Sequence, residues 1–230
     1  MKSRNGKIAI LTGVTLLLSL CVVLWFVAIT YADAPTMTTS IDEIDAWQAV
    51  TAGTMAEGTA DSISDSYSTI LYIEVAHIEA VAQDGVTVIV EVSYGDDNWM
   101  QLTSFTGTGE TCATTQTAED PTSAGDSTVT LDDSSTGDFD VVGRKWFIKD
   151  GTIGNSESVR TKSDNANVVT LCQDTLREHA VDSNVYDRCD EWVVRIPFGV
   201  AYVRTLVNNT DADCDVAFTT RISKVTASPG

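Results

Sequence analysis

The sequence predicts an all-β fold: a jelly-roll-like β-sandwich with a small β-barrel-like module inserted in it, preceded by an N-terminal apolar helix. Three observations predict this. Beyond Asp33 the chain is rich in Thr, Ser, Val, Asp and Gly and poor in Lys and Leu, a strand-and-turn composition. Apolar and polar residues alternate with period two over long stretches. Turn clusters such as Gly95-Asp96-Asp97-Asn98, Asp150-Gly151 and Asp164-Asn165 break these stretches at short intervals. Hydrophobic residues make up 43% of the chain, enough for a packed core, so disorder is not expected.

The elements follow in order. Lys2, Arg4 and Lys7 precede an uncharged apolar run from Ile8 to Ile29, and Thr30-Tyr31-Ala32-Asp33-Ala34-Pro35 follows it. A basic start, an apolar stretch and small residues describe a secretory signal peptide over residues 1–34. The run is also long enough to span a bilayer as a helix, so retention as an N-terminal anchor is the alternative. Either way the basic residues stay inside and Asp33 onward faces outward. A pilin-like leader ending at Gly6 is a third reading, although the glutamate of bacterial pilins is missing. Ile41, Ile44 and Trp47 suggest one short helix with Ser40 as its N-cap.

Residues 35–125 are expected to supply the first part of the sandwich and a linker. Leu71, Ile73 and Val75 make one strand face. Val86, Val88, Val90, Val92 and Tyr94 make a second, which turns at Gly95 into a strand from Trp99 to Phe105. Gly107 to Gly125 reads as a long loop. Residues 126–186 hold short β elements with close turns, around Val129, Trp146-Phe147-Ile148, Ser156 to Thr161 and Val168 to Leu171, the pattern of a small barrel or rolled sheet. Residues 187–230 resume long strands at Trp192–Ile196, Ala201–Val207 and Val216–Val225 and complete the sandwich.

The runs Ser127-Thr-Val-Thr-Leu131, Phe139-Asp-Val-Val-Gly143, Trp146-Phe-Ile-Lys-Asp-Gly151 and Asn167-Val-Val-Thr-Leu171 resemble a small β module of phage virion and bacterial surface proteins. The Val88-to-Leu102 hairpin and the Tyr202-to-Thr210 strand are similar to the sandwich part of the same β-structural proteins. The resemblance covers most of residues 45–226. It implies an extracellular or virion structural role and no catalytic residues.

Charge narrows the partners. All 33 acidic residues lie at or after Asp33, against eleven basic ones, so the exported part carries −22. Such a surface disfavours nucleic acid and anionic lipid. It leaves membrane contact to residues 8–29, if these are uncleaved. Cys112, Cys172, Cys189 and Cys214 form an even set outside the apolar run, which holds Cys21. In an oxidising compartment two disulfides are expected among the four, with connectivity open.

Searching for chemistry yields little. His77 and His179 read as ordinary surface or edge histidines. Gly154-Asn-Ser156-Glu-Ser158 lacks the closing glycine of a nucleophile elbow. No zinc-protease or phosphate-loop motif is present. Asp211, Asp213 and Asp215 beside Asn209 form a Ca²⁺ candidate, and Asp132, Asp133, Asp138 and Asp140 a second acidic cluster. Neither has EF-hand spacing, and solvated acidic surface is the simpler reading. Asn208-Asn209-Thr210 matches a glycosylation sequon. Trp99, Trp146 and Trp192 are expected in core or edge packing, with sugar stacking as the alternative.

No cofactor is expected. The expected function is that of an exported, non-enzymatic structural protein at the cell surface or outside the cell. It would be a repeating subunit of a surface assembly or filament that partners with itself. A carbohydrate-binding or adhesive module that takes glycans, a pilin-like subunit and a virion structural protein are the alternatives.

Overall fold

The computed structural model describes residues 36–79, 85–95, 98–107, 112–118, 122–135 and 137–228. The apolar N-terminal run and Cys21 lie outside these residues. Fifteen strands carry the fold: β1 Thr36–Val50, β2 Met55–Glu57, β3 Asp61–Ser62, β4 Ser66–His77, β5 Val86–Ser93, β6 Trp99–Thr106, β7 Thr114–Gln116, β8 Thr128–Thr130, β9 Lys145–Lys149, β10 Glu157–Asn165, β11 Val168–Leu171, β12 Asn184–Tyr186, β13 Cys189–Ile196, β14 Tyr202–Asn209 and β15 Val216–Ser228. Among the described residues the only helical piece is a 3₁₀ turn at Ile153–Asn155. None is long and apolar enough to cross a membrane.

Two sheets face each other across the main core. One runs β1-β15-β4-β13 and the other β2-β14-β5-β6, with β3 also paired to β14. Period-two patterning dictates which side chains meet. Leu71, Ile73 and Val75 of β4 and Val216, Phe218 and Ile222 of β15 point across to Val86, Val88, Val90 and Val92 of β5 and Val203 and Val207 of β14. Nearly all are fully buried, and each contributes roughly 1.5–3 kcal/mol over an exposed position. Tyr94 departs from the expected series. β5 ends at Ser93, and Tyr94 is exposed in the turn that follows.

Residues 41–47 are extended and not helical. Their i, i+3, i+6 apolar spacing imitates a helix stripe, but β1 is stabilised by its neighbour β15 rather than by propensity. Its two faces diverge. Ile44 and Val50 join the main core, while Trp47 turns the other way and meets Phe147 with ring centroids 4.5 Å apart.

Strands β7 to β12 form a separate six-stranded sheet in the order β7-β12-β9-β10-β11-β8. Its first and last strands meet. Ala118 N–H donates to the Thr130 carbonyl and Asp132 N–H to the Gln116 carbonyl, both at 2.9 Å, so the sheet closes on itself. The stretch read as a long loop from Gly107 thus contains β7. Inside lie Phe139, Trp146, Ile148, Val159, Val169 and Val185. Phe139 belongs to no strand, yet its ring meets Trp146 edge-on. Trp146 donates its indole N–H to Thr161 Oγ1 at 2.9 Å, which removes the cost of burying it. The β10–β11 turn falls on Ala166 and Asn167, both at positive φ, as a twist-matched two-residue hairpin requires.

A buried carboxylate fixes β1 against β15. Asp45 Oδ1 accepts from Thr59 N–H at 2.8 Å and Gln48 Nε2 at 3.2 Å, and Oδ2 accepts from Thr220 Oγ1 at 2.6 Å. Its carbonyl accepts from Thr219 Oγ1. This cradle leaves no room opposite it. A Cβ on Gly58 would stand 2.5 Å from Asp45 Oδ2 and 3.0 Å from the Thr205 carbonyl. Because the carboxylate is held from three sides it cannot swing away. Gly58→Ala is therefore expected to destabilise the fold by about 2 kcal/mol, read as a lower midpoint in denaturant.

Candidate functional site

From Ile73 to His77, β4 is buried on both faces. Its Leu71, Ile73 and Val75 fill the main core, while Glu74 and Ala76, with Ile78 just past the strand's end, face the barrel module. A small apolar cluster seals one end of this seam, where Ala76, Ile78 and Ala217 of the sandwich meet Phe147, Tyr186 and Cys112. The rest of the seam is charged.

Glu74 sits at its centre, 2% exposed. Lys145 of β9 reaches it at 2.8 Å, Arg221 of β15 pairs with the same oxygen, and Ser158 of β10 donates to the other. Lys145 also pairs with Glu191 of β13, and Arg160 Nη2 lies 3.5 Å from Glu191 while Nη1 donates to the Gly143 carbonyl at 2.7 Å. Strands from both parts thus contribute to one network. Burial pushes the Glu74 carboxyl upward, but Lys145 and Arg221 outweigh it and hold it below its ordinary range. Burial pulls the Lys145 ammonium down, and neighbouring negative groups, Glu74 and Glu191 among them, hold it above its ordinary range.

The network lines a cleft of about 350 Å³, walled by Ile41, Tyr72 and Gln173. A cavity of about 240 Å³ adjoins it through Lys145, Arg160 and Glu191 and adds Arg144 and Arg188. A third, about 230 Å³, adjoins it through Ile41 and Arg221 and adds Arg177. Six of the eleven basic residues beyond Asp33 therefore line one seam of an acidic chain. Pattern reading missed this site because its members come from five strands far apart in sequence. The one available signal was Glu74, a carboxylate within the apolar run 70–76 of β4.

The residues singled out in the sequence have other tasks. Asp211 Oδ1 accepts from Asp213 N–H and Cys214 N–H, and Asp215 Oδ1 accepts from Ala52 N–H at 2.8 Å. These bonds shape the loop. Among the described residues no group of three or more His, Cys, Asp or Glu side chains is placed to hold a metal. In the second cluster Asp133 binds Ser135 and Asp138 pairs with Arg144. His77 and His179 are fully buried, against expectation. His179 Nε2 lies 2.6 Å from Glu157 Oε1, and His77 Nε2 lies 3.5 Å from Asp190. Ser156 accepts from Asp150 N–H, so the half-elbow is a turn. Asn208 is half-buried, one residue before the end of β14. Trp192 stacks on Phe105 at 5.6 Å, and Trp99 lies under the Arg204 guanidinium.

Among the described residues Cys112, Cys172, Cys189 and Cys214 carry no disulfide, in contrast to the two bridges expected. Each sulfur is occupied locally. Cys112 Sγ points to the carbonyls of His77 and Ala113, Cys172 Sγ to that of Thr161, and Cys214 Sγ to that of Asp215. Cys189 is packed in the seam, where burial and then Glu74 push its thiol well up. Burial likewise pushes up Cys112, and Cys214 to about 12.

No protein-family model matches the chain, and no curated protein matches it. Two solved structures align over most of its length. VP17, a capsid protein of bacteriophage P23-77, is 7% identical over 84% of this chain and 99% of its own, with a TM-score of 0.17. The complex of VP16 and VP17, the two major capsid proteins of that phage, gives 7% identity, 83% and 99% coverage and a TM-score of 0.18. Such scores lie below those of chains that share a fold.

Two outcomes follow from this geometry. Glu74 is held below its ordinary value of 4.5, so its stabilising contribution is full above pH 4.5 and is lost as pH falls through the lowered value. Lys145 is held above 10.5, so its contribution is full below pH 10.5 and is lost as pH rises through the raised value. Glu74→Gln should cost roughly 3 kcal/mol at neutral pH, with the gap to wild type closing in acid, as read by thermal melts across pH. Maleimide should label exposed Cys172 quickly in the native chain, with Cys112, Cys189 and Cys214 reacting only on unfolding, as read by mass spectrometry.

Proposed function

We propose that the chain is an exported, non-enzymatic structural protein that works as a repeating subunit of an extracellular surface assembly or filament. The observation that carries this reading is strand β6. It is the last strand of its sheet, and among the described residues nothing pairs with its outer side. Its sequence, Trp-Met-Gln-Leu-Thr-Ser-Phe-Thr, holds no charge and no proline. Monomeric proteins blunt such edges with Lys, Pro or very short strands. The other sandwich edges are blunted in this way: β13 carries Asp190, Glu191 and Arg195, β1 carries Asp42 and Glu43, and β2 is three residues long. A bulge at Leu102 leaves Thr103 to Thr106 as the longest regular template for strand addition.

Charge supports the same reading from the other side. A net −22 repels copies of itself, so assembly needs salt as well as a strand contact. Main-chain pairing also explains self-association without calcium.

The full chain should polymerise as salt is raised, seen by light scattering and electron microscopy, and the polymers should survive EDTA. Gln101→Lys combined with Ser104→Lys should keep the fold and abolish polymers. A wild-type chain that stays monomeric at every ionic strength would reject the reading, as would polymers unaffected by the two lysines.

A further inference from the structure

We propose that the 350 Å³ cleft in the seam binds a hydroxylated carboxylate, the chemistry of a single acidic sugar unit. Size sets the first limit. Ligand pockets run from roughly 300 to 1,000 Å³, so this one holds one small ring and not an extended chain. Charge sets the second. Lys145, Arg160 and Arg221 face Glu74 and Glu191, which leaves the lining one positive charge in excess, although the whole chain carries −19. A cleft of reversed sign between low-dielectric walls concentrates a small anion there.

The donors decide which anion. Glu74 is the counter-ion of both Lys145 and Arg221, and Glu191 of both Lys145 and Arg160. A guanidinium carries five N–H donors in a flat fork that matches a carboxylate. Arg160 engages Gly143 and Glu191 through Nη1 and Nη2, and its side chain is 43% exposed. Arg221 is 37% exposed on the same cleft. Both guanidinium groups line the same cleft. The walls select for more than charge. Tyr72 and Ile41 offer an aromatic and an aliphatic surface to the C–H face of a ring. Gln173 and Glu191 stand where ring hydroxyls would need an acceptor and a donor. A bare inorganic oxyanion would use none of these four. A polyanion such as nucleic acid would meet the −22 surface around the cleft.

The test does not depend on assembly, because it reads a dispersed chain at low salt. The full chain in detergent micelles is titrated with glucuronate, glucose and sulfate, with binding followed by calorimetry and saturation-transfer NMR. Saturable glucuronate binding is expected, at least tenfold tighter than glucose. Arg160→Gln should weaken it about tenfold and Ile41→Ser about threefold, with a thermal melt of each variant confirming that the fold is kept. Arg195→Gln, on β13 but outside the cleft, should change nothing. Absence of saturation would overturn the proposal, as would equal affinity for sulfate or glucuronate binding indifferent to Arg160→Gln.

Discussion

Every large feature of this molecule leans on the double burial of β4. One face of the strand supplies Leu71, Ile73 and Val75 to the sandwich core, and the other supplies Glu74 and Ala76, with Ile78 just past the strand's end, to the seam with the barrel. A strand covered on both sides is normally apolar throughout. Glu74 breaks that rule, and the break is tolerable only because Lys145, Arg221 and Ser158 converge on it. Desolvating a carboxylate costs several kcal/mol, and good geometry with more than one partner is what offsets it. The result is specificity of docking: the barrel has one seat on the sandwich in which this charge is satisfied.

The same arrangement divides labour along the seam. At the Phe147–Trp47 end the contact is apolar and closed, and it supplies adhesion without choice of angle. At the Glu74 end it is charged and open, and it fixes the angle while leaving a cleft. The cations gathered there are a large share of all the positive charge beyond Asp33. A protein so acidic elsewhere concentrates its lysines and arginines where they serve as internal counter-ions, not as surface decoration.

How far the sequence foretold this depends on which residue is considered. The alternation at Val86, Val88, Val90 and Val92 was legible because a half-buried strand needs nothing but period two. The all-β composition was legible for the same reason. β1 was not, because three apolar residues at helical spacing outweighed a neighbour, β15, more than a hundred residues away. His77 and His179 were read as surface residues, since a histidine carries no mark of burial until its partner, Asp190 or Glu157, is known. The seam was illegible as a whole. Ion pairs between β4, β9, β10, β13 and β15 have no local pattern, and pairing of four cysteines was inferred from their even number, not from proximity.

The barrel is threaded between β6 and β13, and this shapes how the chain reaches its native state. The sandwich cannot finish until β13, β14 and β15 exist, and each must find a strand from the first half across a gap of over a hundred residues. Such non-local pairing makes for slow folding. The barrel's contacts are local by comparison, and its sheet brings Thr114 of β7 beside Tyr186 of β12. Once it closes, the gap between β6 and β13 shrinks from a long floppy loop to a few residues on either side of a rigid body. An inserted module that closes early would serve as an internal chaperone of topology, shortening the search by which the second half of the sandwich finds the first.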